Sequence, residues 1–248
     1  MNILIFAAGL GTRLKPLTDS MPKALVPIKG KSLLGILIDK IKKSSDEEKT
    51  IVVNIHHFGQ QIIDYVAANN SFGVDVRFSD ERDMLLETGG GLKKAAPLFD
   101  NDKPILIHNV DILSNVDLGE LYNTHASDSE VGATLIVSER NTKRYLLFDE
   151  SDHLVGWTNI ETGEIKSPYP DLKVSDCKKY AFSGIHVFSQ SLLKYMKDWN
   201  GKFSIIDFYL SICDKVVIKG DFRSDLRVLD VGKLDSIKLA ENWLEQSE

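Results

Sequence analysis

Short apolar runs alternate with amphipathic stretches through the first half of the chain. Runs of strand length, or alternating apolar positions, occur at residues 3–6, 50–55, 74–78, 104–108 and 132–137. Apolar residues at helical spacing predict helices near residues 33–41, 60–68, 92–96 and 117–126. Because strands that alternate with helices pair side by side in one direction, this pattern predicts an α/β fold with a mostly parallel central sheet.

The pattern changes after about residue 138, where a small antiparallel addition is predicted. Residues 144–148 and 153–157 have the pattern of a hairpin, and strand character returns at residues 180–188. Between these segments, residues 160–178 are rich in Pro, Gly and polar side chains. The remaining predicted elements are a helix at 189–196, an amphipathic segment at 204–213, strands at 215–218 and 226–229, and a final helix at 233–248.

Composition is that of an ordinary globular protein. The 248 residues fit one large domain, with 43% hydrophobic and 27% charged residues. A net charge of −6 argues against nucleic acid as a partner. Apolar runs are too short to span a membrane, and the N-terminal run lacks the basic region of a signal peptide. Cys177 and Cys213 have no metal-site spacing, so we expect reduced thiols in a cytoplasmic protein.

A basic, glycine-rich segment follows the first predicted strand. Gly9 and Gly11 allow positive φ angles and close approach of a ligand to the backbone. Loop amides that point one way form an anion-binding concavity. Residues 9–31 contain five cations and one acid, so the segment carries +4 and the rest of the chain −10. This local charge in an acidic protein predicts a phosphate-binding loop, with a simple strand–helix connection as the alternative.

Two familiar phosphate sites do not fit this loop. Leu14 stands where the dinucleotide fingerprint needs its third glycine, and no acidic residue ends the second predicted strand. A P-loop would need a Lys-Ser/Thr pair after a four-residue gap between glycines, which is absent. A nicotinamide or flavin site is therefore disfavoured, and so is a P-loop NTPase.

The strings AAGLGTRLKPLT and PKALVPI, which span residues 7–28, resemble the signature of the sugar-1-phosphate nucleotidyltransferases. The resemblance implies a single Rossmann-like domain, with a nucleotide-binding part at about 1–137 and a sugar-binding part at about 138–230. It implies that the loop wraps a nucleoside triphosphate and that Arg13 and Lys23 contact its phosphates. The implied loop contacts are Ala8, Gly9, Gly11 and Thr12. Some relatives continue into a left-handed β-helix, and we expect none here.

A second glycine-rich stretch, Glu87-Thr-Gly-Gly-Gly91, resembles the family loop that lines the base and ribose. The resemblance implies that Glu87, Gly89 and Gly90 bind the nucleotide, with backbone groups near the glycines at the base edge. The alternative is a helix N-terminal turn capped by Thr88, and both interpretations can hold at once.

Two aspartates follow predicted strands, where open parallel sheets place their ligands. Asp111 belongs to an Asn-x-Asp string and Asp230 to an Asp-Val-Gly string. A lone aspartate at a strand end is more often a turn residue. The resemblance, however, implies that this pair holds Mg²⁺, a cation that prefers carboxylate, phosphate and water oxygens. Without a cation the two carboxylates repel, so Asn at either position is expected to leave the fold at least as stable.

Phe182-Ser-Gly184-Ile is similar to the segment that family members place under the sugar. The resemblance implies sugar contacts at Asn109, Phe182 and Gly184, with an ordinary strand as the alternative. The Glu-Lys-Pro triplet whose lysine holds the sugar phosphate in many relatives is absent. Lys166 and Lys173 fall in the right region, but the sequence assigns neither.

The expected reaction is attack by a sugar 1-phosphate on the α-phosphorus of a nucleoside triphosphate. The Glu-Thr-Gly-Gly-Gly and Phe-Ser-Gly-Ile strings most resemble the N-acetylmuramate-1-phosphate uridylyltransferases, which favours UTP. Mannose-1-phosphate guanylyltransferases and a choline-phosphate cytidylyltransferase of this fold are alternatives. A regulatory protein that binds nucleotide sugars without turnover is another, although the four residues Arg13, Lys23, Asp111 and Asp230 argue against it. The expected partners are these two substrates, for a monomer or homodimer.

Overall fold

The computed structural model describes residues 1–100 and 102–246. The strands are β1 (Asn2–Phe6), β2 (Pro27–Ile28), β3 (Lys31–Ser32), β4 (Thr50–Ile55), β5 (Asp75–Asp80), β6 (Ile105–Asn109), β7 (Ile112–Ser114), β8 (Val131–Ser138), β9 (Arg144–Phe148), β10 (Leu154–Asn159), β11 (Ile165–Lys166), β12 (Lys178–Phe188), β13 (Val217–Phe222) and β14 (Val228–Asp230). The α-helices are α1 (Leu33–Lys43), α2 (Gly59–Ala68), α3 (Glu87–Ala95), α4 (Leu118–Ser127), α5 (Ile205–Ile212) and α6 (Leu234–Glu245).

One sheet of ten strands organises the molecule and confirms the predicted α/β class. Four neighbouring strands, in the order β6-β1-β4-β5, are all parallel. Register places Phe6 beside both Asn54 and Asn109, so these three strand ends lie at one edge of the sheet. Strand β12 then runs antiparallel to β6 and joins the sheet to the antiparallel β9, β10 and β11.

Strand β12 belongs to both parts of the sheet. Its last residues pair with β6, and residues 178–180 pair with β9. Its other edge pairs with β8, which pairs in turn with β13. The predicted hairpin at residues 144–157 is present as β9 and β10. The antiparallel strands therefore lie directly beside the edge where the parallel strands end.

Both faces of the parallel strands are covered, which explains their unbroken apolar runs. Ile3 and Ile5 pack with α1 and α2 on one side of the sheet. Leu4, between them in β1, packs on the other side with Leu92 of α3 and Phe208 of α5. No helix in the described part of the chain is long and apolar enough to cross a membrane.

Several predicted elements differ from the structure in their bounds or in their type. Helix α3 begins at Glu87, five residues before its predicted start, so the second glycine-rich stretch lies inside a helix. The segment predicted as a helix at 189–196 is a 3₁₀ helix, Gln190–Met196. Strands β13 and β14 begin two residues later than predicted. The predicted final helix corresponds to α6, and its last two positions, 247 and 248, lie outside the described residues.

Candidate active site

The first glycine-rich loop follows β1, and hydrogen bonds to the side-chain amide of Asn54 hold its first residues in place. Asn54 Oδ1 accepts hydrogen bonds from the backbone N–H groups of Ala7 at 2.6 Å and Ala8 at 3.1 Å. Gly11 has φ of 63°, and a Cβ there would lie 2.9 Å from Thr18 Cγ2, so this position needs glycine. Gly9 does not use a positive φ angle, and the space beside its Cα is open. Amides available for an anion therefore begin after Ala8.

A buried carboxylate orients that amide side chain. Glu81 is fully buried and accepts from Asn54 Nδ2 at 2.8 Å and from the Leu86 backbone N–H at 3.0 Å. Because the NH₂ group of an amide side chain can only donate, its bond to Glu81 Oε1 fixes the Asn54 side chain with its oxygen toward the loop. The glycine loop and the start of α3 are thus joined through two residues that the sequence analysis missed.

The predicted cation and aspartates meet just beyond this loop. Lys23 begins a 3₁₀ turn, and its Nζ donates to Asp111 Oδ2; the two side chains are 12% and 15% exposed. Burial and the nearby Asp111 charge raise the pKa of Asp230, while Lys23 and Arg13 act in the opposite direction. The structure therefore brings Lys23, Asp111 and Asp230 into one electrostatic cluster.

Arg13 lies at the rim of this cluster. Its Nη2 is 3.9 Å from Asp230 Oδ2, and its side chain is 58% exposed. A Cβ at Gly232 would lie 2.7 Å from Arg13 Nη2 and 2.5 Å from Asp230 Oδ1. The glycine of the Asp-Val-Gly string therefore gives both side chains room to approach each other.

The aspartates meet for a different reason from the one that the sequence suggested. Asp111 does follow a parallel strand, β6, but Asp230 ends β14, which is not a strand of the main sheet. Instead β14 pairs antiparallel with β7, with Asp230 opposite Ile112, and the Val231 N–H donates to the Asp111 carbonyl at 2.8 Å. A two-stranded ribbon, and not the edge of the parallel sheet, brings the pair together.

Asp111 and Asp230 have the chemistry of an Mg²⁺ site, although the structure alone leaves the metal a prediction. Both offer hard carboxylate oxygens, and a cationic group, the Lys23 ammonium, already lies against one of them. No cluster of three or more His, Cys, Asp or Glu side chains with metal-ligand geometry occurs in residues 1–100 and 102–246. A cation held here would need phosphate or water oxygens for its other positions, as Mg²⁺ usually does.

Helix α3 gives its glycines a packing function. A Cβ at Gly89 would lie 2.3 Å from the Phe203 ring, and one at Gly90 would lie 2.3 Å from the Gly201 carbonyl oxygen. Both backbone N–H groups already donate to the Phe203 carbonyl, at 2.9 and 3.3 Å. Thr88 does not cap the helix; its Oγ1 accepts from the Ile205 N–H at 3.0 Å. The missing side chains therefore make room for residues 201–203, and base binding at these two glycines stays a prediction.

A cavity of about 510 Å³ lies over the glycine loop and the Lys23–Asp111 pair. Six sequence-predicted site residues line it: Ala8, Gly9, Lys23, Glu87, Asn109 and Asp111. The other lining residues are Phe6, Ala7, Asn54, Leu85, Thr88, Val110, Arg144 and Ser204. Eight predicted residues do not line this cavity: Gly11, Thr12, Arg13, Gly89, Gly90, Phe182, Gly184 and Asp230.

A second cavity of about 520 Å³ shares Arg144 and Ser204 with the first, so the two cavities are neighbours. Phe182 lines this second cavity, and its contact with a sugar stays a prediction. Gly184, with φ of 82°, instead leaves room for the Asn109 side chain, because a Cβ at position 184 would lie 2.5 Å from Asn109 Nδ2. Residues of the second cavity that the sequence analysis did not assign include Arg140, Arg144, Trp157, Asn159, Lys166 and Asp207.

Comparison with known proteins finds relatives of this chain. N-acetylmuramate alpha-1-phosphate uridylyltransferase from Neisseria meningitidis is 37% identical over 127 residues, which are 51% of this chain and 54% of that protein. The protein of the same name from Caulobacter vibrioides is 42% identical over 110 residues, 44% of each chain. The chain thus spans about half the length of these curated relatives.

A solved structure shows the same fold over nearly the whole chain. HddC from Yersinia pseudotuberculosis, in complex with GMP-PN, superposes with a TM-score of 0.73 at 23% identity, covering 98% of this chain and 99% of that one. The family model described as nucleotidyl transferase matches residues 2–247. This chain is therefore a member of the nucleotidyl transferase family.

Proposed function

We propose that the protein transfers a nucleoside monophosphate from a nucleoside triphosphate to a sugar 1-phosphate and releases pyrophosphate. The observation that carries this proposal is the position of Lys23 and Asp111, in a cavity that borders a second one at Arg144 and Ser204. The glycine loop lines the first cavity, which suits a nucleotide, and the aromatic Phe182 lines the second, which suits a sugar. Family membership and the names of the relatives support the same reaction class.

Lys23 is the main catalytic residue in this account. Its ammonium lies where negative charge would build on the reacting phosphate, and a fixed cation in a partly desolvated cavity stabilises that charge strongly. Arg13, at the rim, would bind the outer phosphates of the triphosphate. No general base is needed, because a sugar phosphate is already an anionic nucleophile.

Asp111 and Asp230 would hold Mg²⁺ between them. When bound, this ion supplies Lewis-acid neutralisation of phosphate oxygens. In the structure described here, the Lys23 ammonium lies against Asp111. Asp111 would thus serve both as a ligand of this ion and as the partner that positions the Lys23 ammonium.

The finer assignment is UTP with N-acetylmuramate 1-phosphate. It is supported by the names of the two relatives with 37% and 42% identity. Guanylyl transfer is the main alternative, since a mannose-1-phosphate guanyltransferase from Gibberella zeae is 28% identical over 148 residues, 58% of this chain and 40% of that protein.

A pyrophosphate-release assay with the four nucleoside triphosphates and a panel of sugar 1-phosphates tests the proposal. UTP and N-acetylmuramate 1-phosphate should give the highest kcat/KM, and equal UTP and GTP in competition should yield mostly the uridine product. A guanosine product would overturn the finer assignment only. Tight nucleotide-sugar binding without turnover of any pair would instead indicate a regulatory protein.

A further inference from the structure

The second cavity has one wall built from alternate residues of the antiparallel strands. Arg144 of β9 is opposite Asn159 of β10, and Trp157 is opposite Lys166 of β11. Because residues opposite each other on antiparallel strands project to the same face, these four side chains share one surface. Residues of helix α5 also line this cavity, and Arg144 lines both this cavity and the one that contains Lys23.

The charges on this surface are only partly balanced. Lys166 is neutralised by Asp207 at 3.0 Å and Glu164 at 4.0 Å. Arg140 and Arg144 also line the cavity, and neither has a carboxylate within 4.0 Å among the residues that the structure describes. Two guanidinium groups without an acidic partner therefore face one concave site in a protein whose net charge is −6.

Arg140 is positioned beside a wall of the cavity. Its Nη2 donates to the Phe182 carbonyl at 3.0 Å, which leaves its remaining N–H groups for a ligand. Trp157 and Phe182 add aromatic surface to the same cavity. Cations next to apolar surface suit a ligand that joins a hydrocarbon part to an anionic group.

We propose that Arg140 and Arg144 bind a carboxylate carried by the acceptor sugar, in addition to its phosphate. The proposal rests on the function proposed above, since a phosphate held at Lys23 directs the sugar through the Arg144 border into the second cavity. A neutral hexose offers two guanidinium groups only hydroxyl acceptors, whereas a carboxylate neutralises their charge and matches their planar, forked donors. The structure thus selects for sugar phosphates with a carboxylate-bearing substituent.

The competing source of negative charge is the sugar phosphate itself, because the Glu-Lys-Pro triplet whose lysine holds this phosphate in many relatives is absent here. Two substrates separate these sources: N-acetylmuramate 1-phosphate, which has a carboxylate, and N-acetylglucosamine 1-phosphate, which lacks it. An arginine that binds the carboxylate affects only the first substrate, and an arginine that binds the phosphate affects both.

The test measures binding by calorimetry and turnover by pyrophosphate release for Arg140→Gln and Arg144→Gln with both sugars. Lys143→Gln is the matched control, because this exposed lysine pairs with Glu161 and does not line the cavity. We expect each arginine variant to lose about 10- to 100-fold on the acidic sugar, at least tenfold more than on the neutral one. The control should show no such difference.

Each remaining outcome decides the proposal. Equal losses on both sugars would show that the arginines bind phosphate, and unchanged binding of the acidic sugar would show that they bind neither group; both results overturn the carboxylate site. Arginine-dependent, carboxylate-selective binding without turnover would support this site and refute the proposed transferase function. Melting temperatures of the variants should match the parent, because both arginines are exposed.

Discussion

Asp230→Asn tests the electrostatics of the aspartate pair without any ligand. Burial and the Asp111 charge raise the pKa of Asp230, so the folded protein disfavours its ionised form. Asparagine keeps the shape of the side chain and removes the charge. In a metal-free solution at pH 7, we therefore expect Asp230→Asn to raise the free energy of unfolding.

The expected gain is modest. Two unit charges about 4 Å apart interact with about 4 kcal/mol at an effective dielectric constant of 20. Asp230 is 46% exposed, and Lys23 and Arg13 offset part of the repulsion, so solvent screening reduces the gain to about 1 kcal/mol. For a domain of this size, that gain raises the melting temperature by about 2–4 °C.

Asp111→Asn should have the opposite effect. Asp111 is the direct partner of Lys23, whose side chain is only 12% exposed. Loss of this carboxylate would leave a largely buried ammonium with a neutral neighbour, at a cost of roughly 1–3 kcal/mol. For Asp111→Asn this prediction differs from the sequence-based expectation that either variant is at least as stable as the parent.

The pH dependence supplies the control. A carboxyl group with a raised pKa keeps its proton in the folded protein where the unfolded chain has lost it. The stabilisation of the folded protein by protonated Asp230 is fully present below pH 3.8 and is lost as pH rises through the pKa of Asp230 in the folded state. Urea unfolding with EDTA should show the largest difference between Asp230→Asn and the parent at pH 7, and a smaller one near pH 4. A less stable variant at pH 7, or a difference independent of pH, would refute this reasoning.

Three further predictions address other parts of the molecule. Arg13→Ala should slow turnover by about 100-fold or more. Its melting temperature should lie within about 1 °C of that of the parent, because the ion pair of Arg13 is long and exposed. Lys15→Ala, which removes an equally exposed cation of the loop, is the control, and near-normal activity of Arg13→Ala would contradict a phosphate-binding role for Arg13. Gly90→Ala should lower the free energy of unfolding by about 1–3 kcal/mol, because its Cβ would lie 2.3 Å from the Gly201 carbonyl oxygen; an unchanged urea midpoint would contradict this packing. His186 is fully buried, and burial lowers its pKa to about 3. Between pH 6.5 and 3 the unfolded chain therefore binds a proton that the folded protein does not bind. As the pH falls through this range, the free energy of unfolding decreases by up to about 1.4 kcal/mol per pH unit. His186→Leu should flatten this dependence in urea unfolding at pH 7, 6 and 5, and an equally steep loss in the variant would exclude His186 as its source.

Local strings predicted the parts of the site that lie close together in sequence. The apolar runs and the loop after β1 can be recognised from residues within one element and its following turn. Lys23 is also close in sequence, 14 residues after Gly9. Asp111 was found because it follows a parallel strand directly. The spacing of hydrophobic residues and the composition of a loop are enough to predict features of this local kind.

Contacts between distant segments were not predictable in the same way. The glycines of α3 pack against the segment that contains Phe203, more than 100 residues away in sequence. Because this partner is not visible in the local sequence, the glycine-rich string was interpreted as a loop. Asn54 and Glu81 are single polar residues within or after buried strands, and nothing near them in sequence indicates that they meet. Arg144 and Trp157 face one cavity only because β9 and β10 pair in a particular register.

The most direct test of the account follows the α-phosphorus of the triphosphate. The protein, Mg²⁺, a sugar 1-phosphate and UTP labelled at the α-phosphate are combined, and the products are separated for the parent and for Lys23→Gln. The proposed transfer reaction predicts label in a nucleotide sugar, with one pyrophosphate per product, and a rate at least about 100-fold lower in Lys23→Gln at an unchanged fold. Label released as free UMP, or a Lys23→Gln rate equal to that of the parent, would contradict it.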